Sequence, residues 1–134
     1  MQTARVRWVQ NLQFLATTPS GHAVPFDSGR DGKSAAGAME MLLAALGACT
    51  ATDVVAILEK KRQKPAFLEV LVSGERAEAE PKVWTKIEMV YRLGGDLEEK
   101  AVSDAIELSQ AKYCSVAAML GKAVPITYRH EILP

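Results

Sequence analysis

Residues 38–62 read Ala-Met-Glu-Met-Leu-Leu-Ala-Ala-Leu-Gly-Ala-Cys-Thr-Ala-Thr-Asp-Val-Val-Ala-Ile-Leu-Glu-Lys-Lys-Arg. The run has no proline and consists mostly of strong helix formers. Met39, Leu42, Leu43 and Leu46 are followed by Val54, Val55, Ile57 and Leu58, with Pro65 just beyond. This predicts a helix over 38–62. From Met39 to Ala51 that helix is apolar nearly all round, and such a helix is buried. In a chain of 134 residues, burial on every side calls for a second subunit. The basic run Lys60-Lys61-Arg62, with Lys64 close behind, falls at the helix end, where cations favour the dipole.

Working outward, Val6 and Trp8 alternate with Arg5, Arg7 and Val9. Leu12 and Phe14 form a second apolar run. Pro19-Ser20-Gly21 signals a turn before Ala23-Val24-Pro25-Phe26. Residues 4–26 therefore read as a small antiparallel meander. Residues 27–37 are polar and Gly-rich and are expected to be a mobile loop. After the helix, Leu68, Val70 and Val72 share one face of a strand over 67–73. In 82–93, Val83, Thr85, Ile87, Met89, Tyr91 and Leu93 alternate with Trp84, Lys86, Glu88, Val90 and Arg92, a clear period of two. Gly94-Gly95 ends that strand. Asp96 with Glu99 is a capping signal for a second helix over 97–113, striped by Leu97, Ala101, Ala105 and Leu108. A short helical turn over 115–120 closes at Gly121. A last strand follows Pro125, with Ile126, Tyr128 and Ile132 on one face. The order βββ-α-ββ-α-α-β does not alternate regularly. It predicts an α+β protein, one domain over 1–134, with an antiparallel sheet on a long central helix.

Hydrophobic residues make up 49% and charged residues 24%, enough for a core and a polar surface. Lys+Arg and Asp+Glu both total 16, so no basic excess points to nucleic acid. No apolar stretch is read as reaching the ~18 residues of a membrane span. The N-terminus has no apolar signal region, so the cytoplasm is expected. Thiols are reduced there, and a disulfide is more often catalytic than structural.

Two residues stand out as candidates for chemistry. Cys49 lies mid-helix among Gly47, Ala48 and Ala51. It reads either as a small buried hydrophobe or as a sulfur with open space around it. Cys114 follows Tyr113 and opens the turn Ser115–Leu120. A thiol at a helix N-terminus is expected to have a lowered pKa, although a half-buried structural cysteine fits the position too. The two cysteines are 65 positions apart, which by itself does not pair them.

The stretch Met39–Ala51 resembles the first cysteine helix of the OsmC/Ohr proteins (osmotically inducible protein C and organic hydroperoxide resistance protein). Lys112-Tyr113-Cys114-Ser115-Val116 resembles their second cysteine motif. Gly21-His22-Ala23-Val24 and the order of elements extend the likeness over nearly the whole chain. The resemblance implies an OsmC-like fold and an intertwined homodimer with sites at the subunit interface. It implies a peroxidase that attacks hydroperoxides with Cys49, forms a sulfenic acid there, and closes a disulfide with Cys114. It implies no bound cofactor, only an external thiol reductant.

The resemblance also implies an arginine at the reactive thiolate and a glutamate that orients it. Met39 stands at the glutamate's position and Gln10-Asn11 at the arginine's. Glu40 is the nearby acid, but nine helical residues place it half a turn away from Cys49. Arg5, Arg7 and Arg30 are the candidate arginines, and Arg30 has the most freedom in its Gly-rich loop. These departures keep a second reading open: a non-catalytic dimer that binds an apolar small molecule or senses redox state. His22 and His130 are scattered, so no metal site is expected, and no phosphate-binding glycine motif appears.

Overall fold

A computed structural model describes residues 1–30 and 33–134. Residues 31 and 32, inside the expected 27–37 loop, lie outside the described residues. The chain forms two compact units, Met1–Leu42 and Leu43–Pro134. The boundary falls within helix α1, Ala38–Lys60.

The first unit holds the expected meander: β1 (Arg5–Gln10), β2 (Gln13–Thr17) and β3 (Ala23–Asp27). Both pairings are antiparallel, with Trp8 opposite Phe14 and Phe14 opposite Phe26. Asn11 takes a positive φ of 49° in the tight β1–β2 turn, a conformation asparagine tolerates. The Trp8 indole N–H donates to the Asn11 carbonyl at 2.8 Å. Only Ala16 is fully buried among this sheet's apolar side chains, while Val6, Trp8 and Val9 are exposed.

On either side of residues 31 and 32, Gly29 and Ser34 are both held to the end of β3. Buried Asp27 is their anchor. One carboxylate oxygen accepts the Gly29 N–H at 2.8 Å. The other accepts the Ser34 N–H and hydroxyl, both at 2.9 Å. These donors hold the Asp27 pKa at about 2, below its ordinary 3.8. Farther on, the Glu40 carboxylate accepts the Gly37 N–H at 2.9 Å, which satisfies a donor at the start of α1.

The second unit is built on one apolar stripe. Leu46, Thr50, Val54 and Leu58 recur every four residues and are the buried positions of α1. They meet Ile87, Met89, Tyr91 and Leu93 of β5 (Trp84–Gly94), whose period of two brings them all to one face. Gly47 lets the helix come close to β4 (Phe67–Arg76), since a Cβ there would sit 3.2 Å from Val72. β4 pairs antiparallel with β5, but β6 (Ile126–Leu133) joins β5 in parallel. This sheet is therefore mixed, where a wholly antiparallel one was expected. The long helical connection between β5 and β6 permits the parallel arrangement.

That connection contains α2 (Glu99–Leu108), one π-helical turn (Ser109–Tyr113) and α3 (Ser115–Leu120). The expected 97–113 helix is thus α-helical only to Leu108. The Asp96 cap does not form either. Glu98 is the capping position, it offers no side-chain cap, and its N–H is met by the Gln63 side chain at 2.8 Å. The buried face of α2 is Ala101, Val102, Ala105 and Ile106, while Leu108 is exposed.

Helix α1 corrects one expectation from composition. At 23 residues it is long and apolar enough to cross a membrane by length and composition. Asp53 interrupts the apolar run in the sequence without ending the helix. The stripe from Leu46 to Leu58 lies in the core of the second unit, so α1 is a core helix.

A group whose folded pKa is depressed stabilises the fold above its unfolded pKa and loses that contribution as pH falls. For Asp27 the window runs from about 3.8 down to about 2. Asp27→Ala is expected to speed amide exchange at Gly29 and Ser34 by about tenfold at neutral pH. The wild type should lose the same protection as pH falls through that window. Residue-resolved hydrogen exchange by NMR checks both.

Candidate functional site

The site is assembled within the second unit by three elements. Cys49 comes from α1 and is half-buried. Cys114 comes from the junction between the π-turn and α3 and is buried, at 2% exposure. Both are free thiols, and they lie close enough for Cys49 to raise the pKa of Cys114. The fold thus brings together two sulfurs that are 65 positions apart in the sequence.

The π-turn is what delivers Cys114. Its signature is the Cys114 N–H donating to the Ser109 carbonyl at 2.8 Å, five residues back. Cys114 then leaves the helical conformation, with φ −75° and ψ 100°, and caps α3. Its Sγ accepts the Ala117 N–H at 3.4 Å. That contact is the one expected of a thiol at a helix N-terminus, but the expected fall in pKa does not follow. Burial dominates and pushes Cys114 up to about 11. The Ala117 N–H opposes this, while Cys49 and Asp53 add to it. A six-residue helix supplies too weak a field to reverse desolvation.

Beneath the two thiols runs a buried polar network that the sequence reading missed. Thr50 Oγ1 lies 2.6 Å from the Tyr91 hydroxyl and 2.7 Å from Ser109 Oγ. Ser109 Oγ donates to Asp53 Oδ2 at 2.8 Å. Gln110 Nε2 donates to the Tyr91 hydroxyl at 2.6 Å. Among the described residues, no buried side-chain nitrogen or oxygen lacks a partner. Burial raises the Tyr91 pKa, so its phenol stays protonated at neutral pH. One signal was present in the sequence: Thr50 and Asp53 are polar residues inside an otherwise apolar helix. Tyr91 looked like one more residue of an alternating strand.

The supporting residues expected around Cys49 belong to the first unit. Arg5 and Arg7 are exposed on β1, and Arg30 is exposed after β3. Glu40 serves the start of α1 through Gly37. His22 contacts Ser20 in its own turn, and His130 pairs with Glu99. Among the described residues, no His, Cys, Asp and Glu cluster could hold a metal ion. Beside α1 an open groove of about 390 Å³ is lined by Leu43, Ala44, Gly47, Ala48, Ala51, Val70 and Val72.

A helix with one cysteine, a second cysteine at a helical junction and this order of elements define a class. The family model described as OsmC-like protein matches residues 30–129. Protein YhfA of Escherichia coli (strain K12) is 47% identical over 131 residues, covering 97% of each chain. The crystal structure of a hypothetical protein from Aquifex aeolicus VF5 matches with a TM-score of 0.85 at 32% identity, over 100% of this chain and 98% of that one. The organic hydroperoxide resistance protein OhrB of Bacillus subtilis has the same fold, with a TM-score of 0.67 at 15% identity, over 96% and 98% of the chains. The chain belongs to the OsmC-like protein family.

A thiol whose pKa is raised by folding stabilises the native state fully below its unfolded pKa, about 9, and ceases to as pH rises through about 11. Urea unfolding of the reduced protein between pH 8 and 11 should therefore show an alkaline loss of stability. Cys114→Ala should reduce that loss, leaving the part that Tyr91 and Tyr128 add above the ordinary tyrosine value, and Cys49→Ala should leave most of it in place.

Proposed function

We propose that this protein is a thiol-dependent peroxidase that reduces organic hydroperoxides through Cys49 and Cys114. The observation that carries the reading is the proximity of the two free thiols, close enough for Cys49 to act on the Cys114 proton. The Cys49 sulfur, as thiolate, attacks the outer oxygen of the hydroperoxide. The O–O bond breaks, the alkoxide takes up a proton and leaves as an alcohol, and Cys49 becomes a sulfenic acid. The Cys114 sulfur then attacks Cys49. The S–O bond breaks, and the Cys114 proton leaves with the hydroxide as water. An external dithiol or two monothiols reduce the resulting disulfide, and the cytoplasm supplies such reductants.

The different settings of the two cysteines support this division of roles. Cys49 is the more accessible sulfur, as suits the group that meets the hydroperoxide first, although it does not line the apolar groove. Cys114 is buried and held as a thiol, as suits the group that acts second. An arginine would favour the Cys49 thiolate, and Arg5, Arg7 and Arg30 remain the candidates, with Arg30 proposed first. Glu40 is engaged at the start of α1, so orienting that arginine would have to be compatible with its Gly37 contact.

A homodimer is part of the same proposal. Exposed Val6, Trp8 and Val9 on β1 support it, as do the exposed Ala44, Ala45 and Ala48 on α1. The groove also favours one second reading: a non-catalytic dimer that binds an apolar small molecule there, with the cysteines as a redox sensor. Its apolar lining supports that reading, as do Met39 and Gln10-Asn11 at the family's glutamate and arginine positions.

Stopped-flow thiol loss with cumene hydroperoxide and with hydrogen peroxide separates the two readings. The peroxidase reading expects fast loss of both thiols with the organic peroxide. Cys49→Ser should abolish it, and Cys114→Ser should accumulate a dimedone-trappable sulfenic acid. Thiol loss no faster than that of free cysteine would leave the binding reading. Sedimentation equilibrium is expected to give twice the chain mass at micromolar concentration.

A further inference from the structure

The buried network beneath the cysteines has a single direction. A hydroxyl carries one proton, and Ser109 gives its proton to the Asp53 carboxylate. Ser109 can then only accept from Thr50, so the Thr50 proton points to Ser109 across the 2.7 Å contact. Thr50 in turn can only accept from Tyr91 across the 2.6 Å contact. Tyr91 accepts from Gln110. Turning the Gln110 amide around would demand a proton that Tyr91 has already given to Thr50. The chain therefore runs from Gln110 through Tyr91, Thr50 and Ser109 to Asp53, and it ends on a carboxylate.

Ser109 is engaged twice. Its hydroxyl lies in the chain, and its carbonyl accepts the Cys114 N–H at 2.8 Å. That second bond spans five residues and closes the π-turn over 109–113. In an ordinary α-turn the Cys114 N–H would bond Gln110 instead. That one-residue shift would carry Cys114 around the axis by on the order of 100°. Nothing in the composition of Ser109-Gln110-Ala111-Lys112-Tyr113 demands the wider turn. The anchor on the Ser109 side chain supplies the reason.

We propose that the hydroxyl chain Tyr91–Thr50–Ser109–Asp53 is a positioning device for the second thiol: it holds the π-turn open and so seats Cys114 against Cys49 for disulfide closure. Thr50, Ser109 and Asp53 are positioning residues, since they act through the backbone of Cys114. The inference deepens the thiol-pair reading and rests on it. Asp53 adds a secondary effect, because its negative charge disfavours the Cys114 thiolate and so helps keep that thiol protonated until it is used.

Thr50 offers a test that separates the hydroxyl from the packing. Thr50→Val keeps the volume and removes the hydroxyl, whereas Thr50→Ser keeps the hydroxyl and removes a methyl group. The reduced protein is equilibrated with oxidised and reduced dithiothreitol, and the Cys49–Cys114 disulfide is quantified by mass spectrometry. In that exchange the two thiol protons and two electrons pass to oxidised dithiothreitol as the protein S–S bond forms. Thr50→Val is expected to lower the closure constant by about tenfold, the effect of losing one buried hydrogen bond, and Thr50→Ser to stay within about twofold of wild type.

Wild-type closure in Thr50→Val would overturn the proposal. So would a loss in Thr50→Ser as large as in Thr50→Val, because packing would then be the cause. Failure of the wild type itself to close would overturn it as well. If Thr50→Val does not fold, Ser109→Ala takes its place, with the same tenfold loss expected (about one hydrogen bond) and wild-type closure again overturning the proposal. A parallel arm with cumene hydroperoxide keeps the two readings apart. Closure by dithiothreitol but not by hydroperoxide would refute the peroxidase and leave the positioning device tested by the first arm.

Discussion

The hydrogen bond between Thr50 and Tyr91 lies where helix α1 meets strand β5, and much of the second unit depends on it. Thr50 interrupts the stripe of Leu46, Val54 and Leu58, and Tyr91 interrupts the face of Ile87, Met89 and Leu93. Two polar atoms in such a place are costly unless each is satisfied. Their mutual bond, extended to Ser109 and Gln110, meets that demand. It also fixes register. Apolar side chains can slide past one another at modest cost, but a buried hydroxyl pair has one acceptable alignment. The turn that carries Cys114 is aligned to α1 through the same atoms.

The electrostatics around Cys114 hold it as a thiol. Cys114 is buried, close to Asp53 and Cys49, and each of these holds its proton on. Its one stabilising contact, the Ala117 N–H, is too weak to reverse that. Helix-terminus arguments assume a solvated or otherwise unopposed charge. Here desolvation is the larger effect, and the position of Cys114 in the sequence does not reveal it. A thiol kept protonated does not compete for an oxidant, so burial itself can set the order of events at a two-cysteine site.

Much of the fold was legible in local pattern. The period of two in residues 82–93 marked out β5, Trp84–Gly94, and the proline-free run before Pro65 marked out α1. The meander of β1–β3 followed from alternation and the turn around Gly21. Three features were not legible. The parallel join of β6 to β5 depends on how the intervening helices pack, which no strand's own sequence encodes. The Asp96 cap failed because Gln63, 35 positions before Glu98, meets the exposed helix N–H instead. The anchoring of Gly29 and Ser34 was not visible because the sequence shows their glycine-rich surroundings, while the acceptor that holds both is Asp27 at the end of a strand.

The sequence by itself determined most element types and their order, the two cysteines, and the family resemblance. All of these are carried by neighbours a few residues apart, because helix and strand periodicity are short-range. Only the tertiary structure decided that Cys49 and Cys114 come close together, that Cys114 is buried enough to stay a thiol, and that Thr50, Tyr91, Ser109 and Asp53 form one chain beneath them. Those facts depend on desolvation and on hydrogen bonds between residues 41 to 59 positions apart, and such energies exist only once the core has closed.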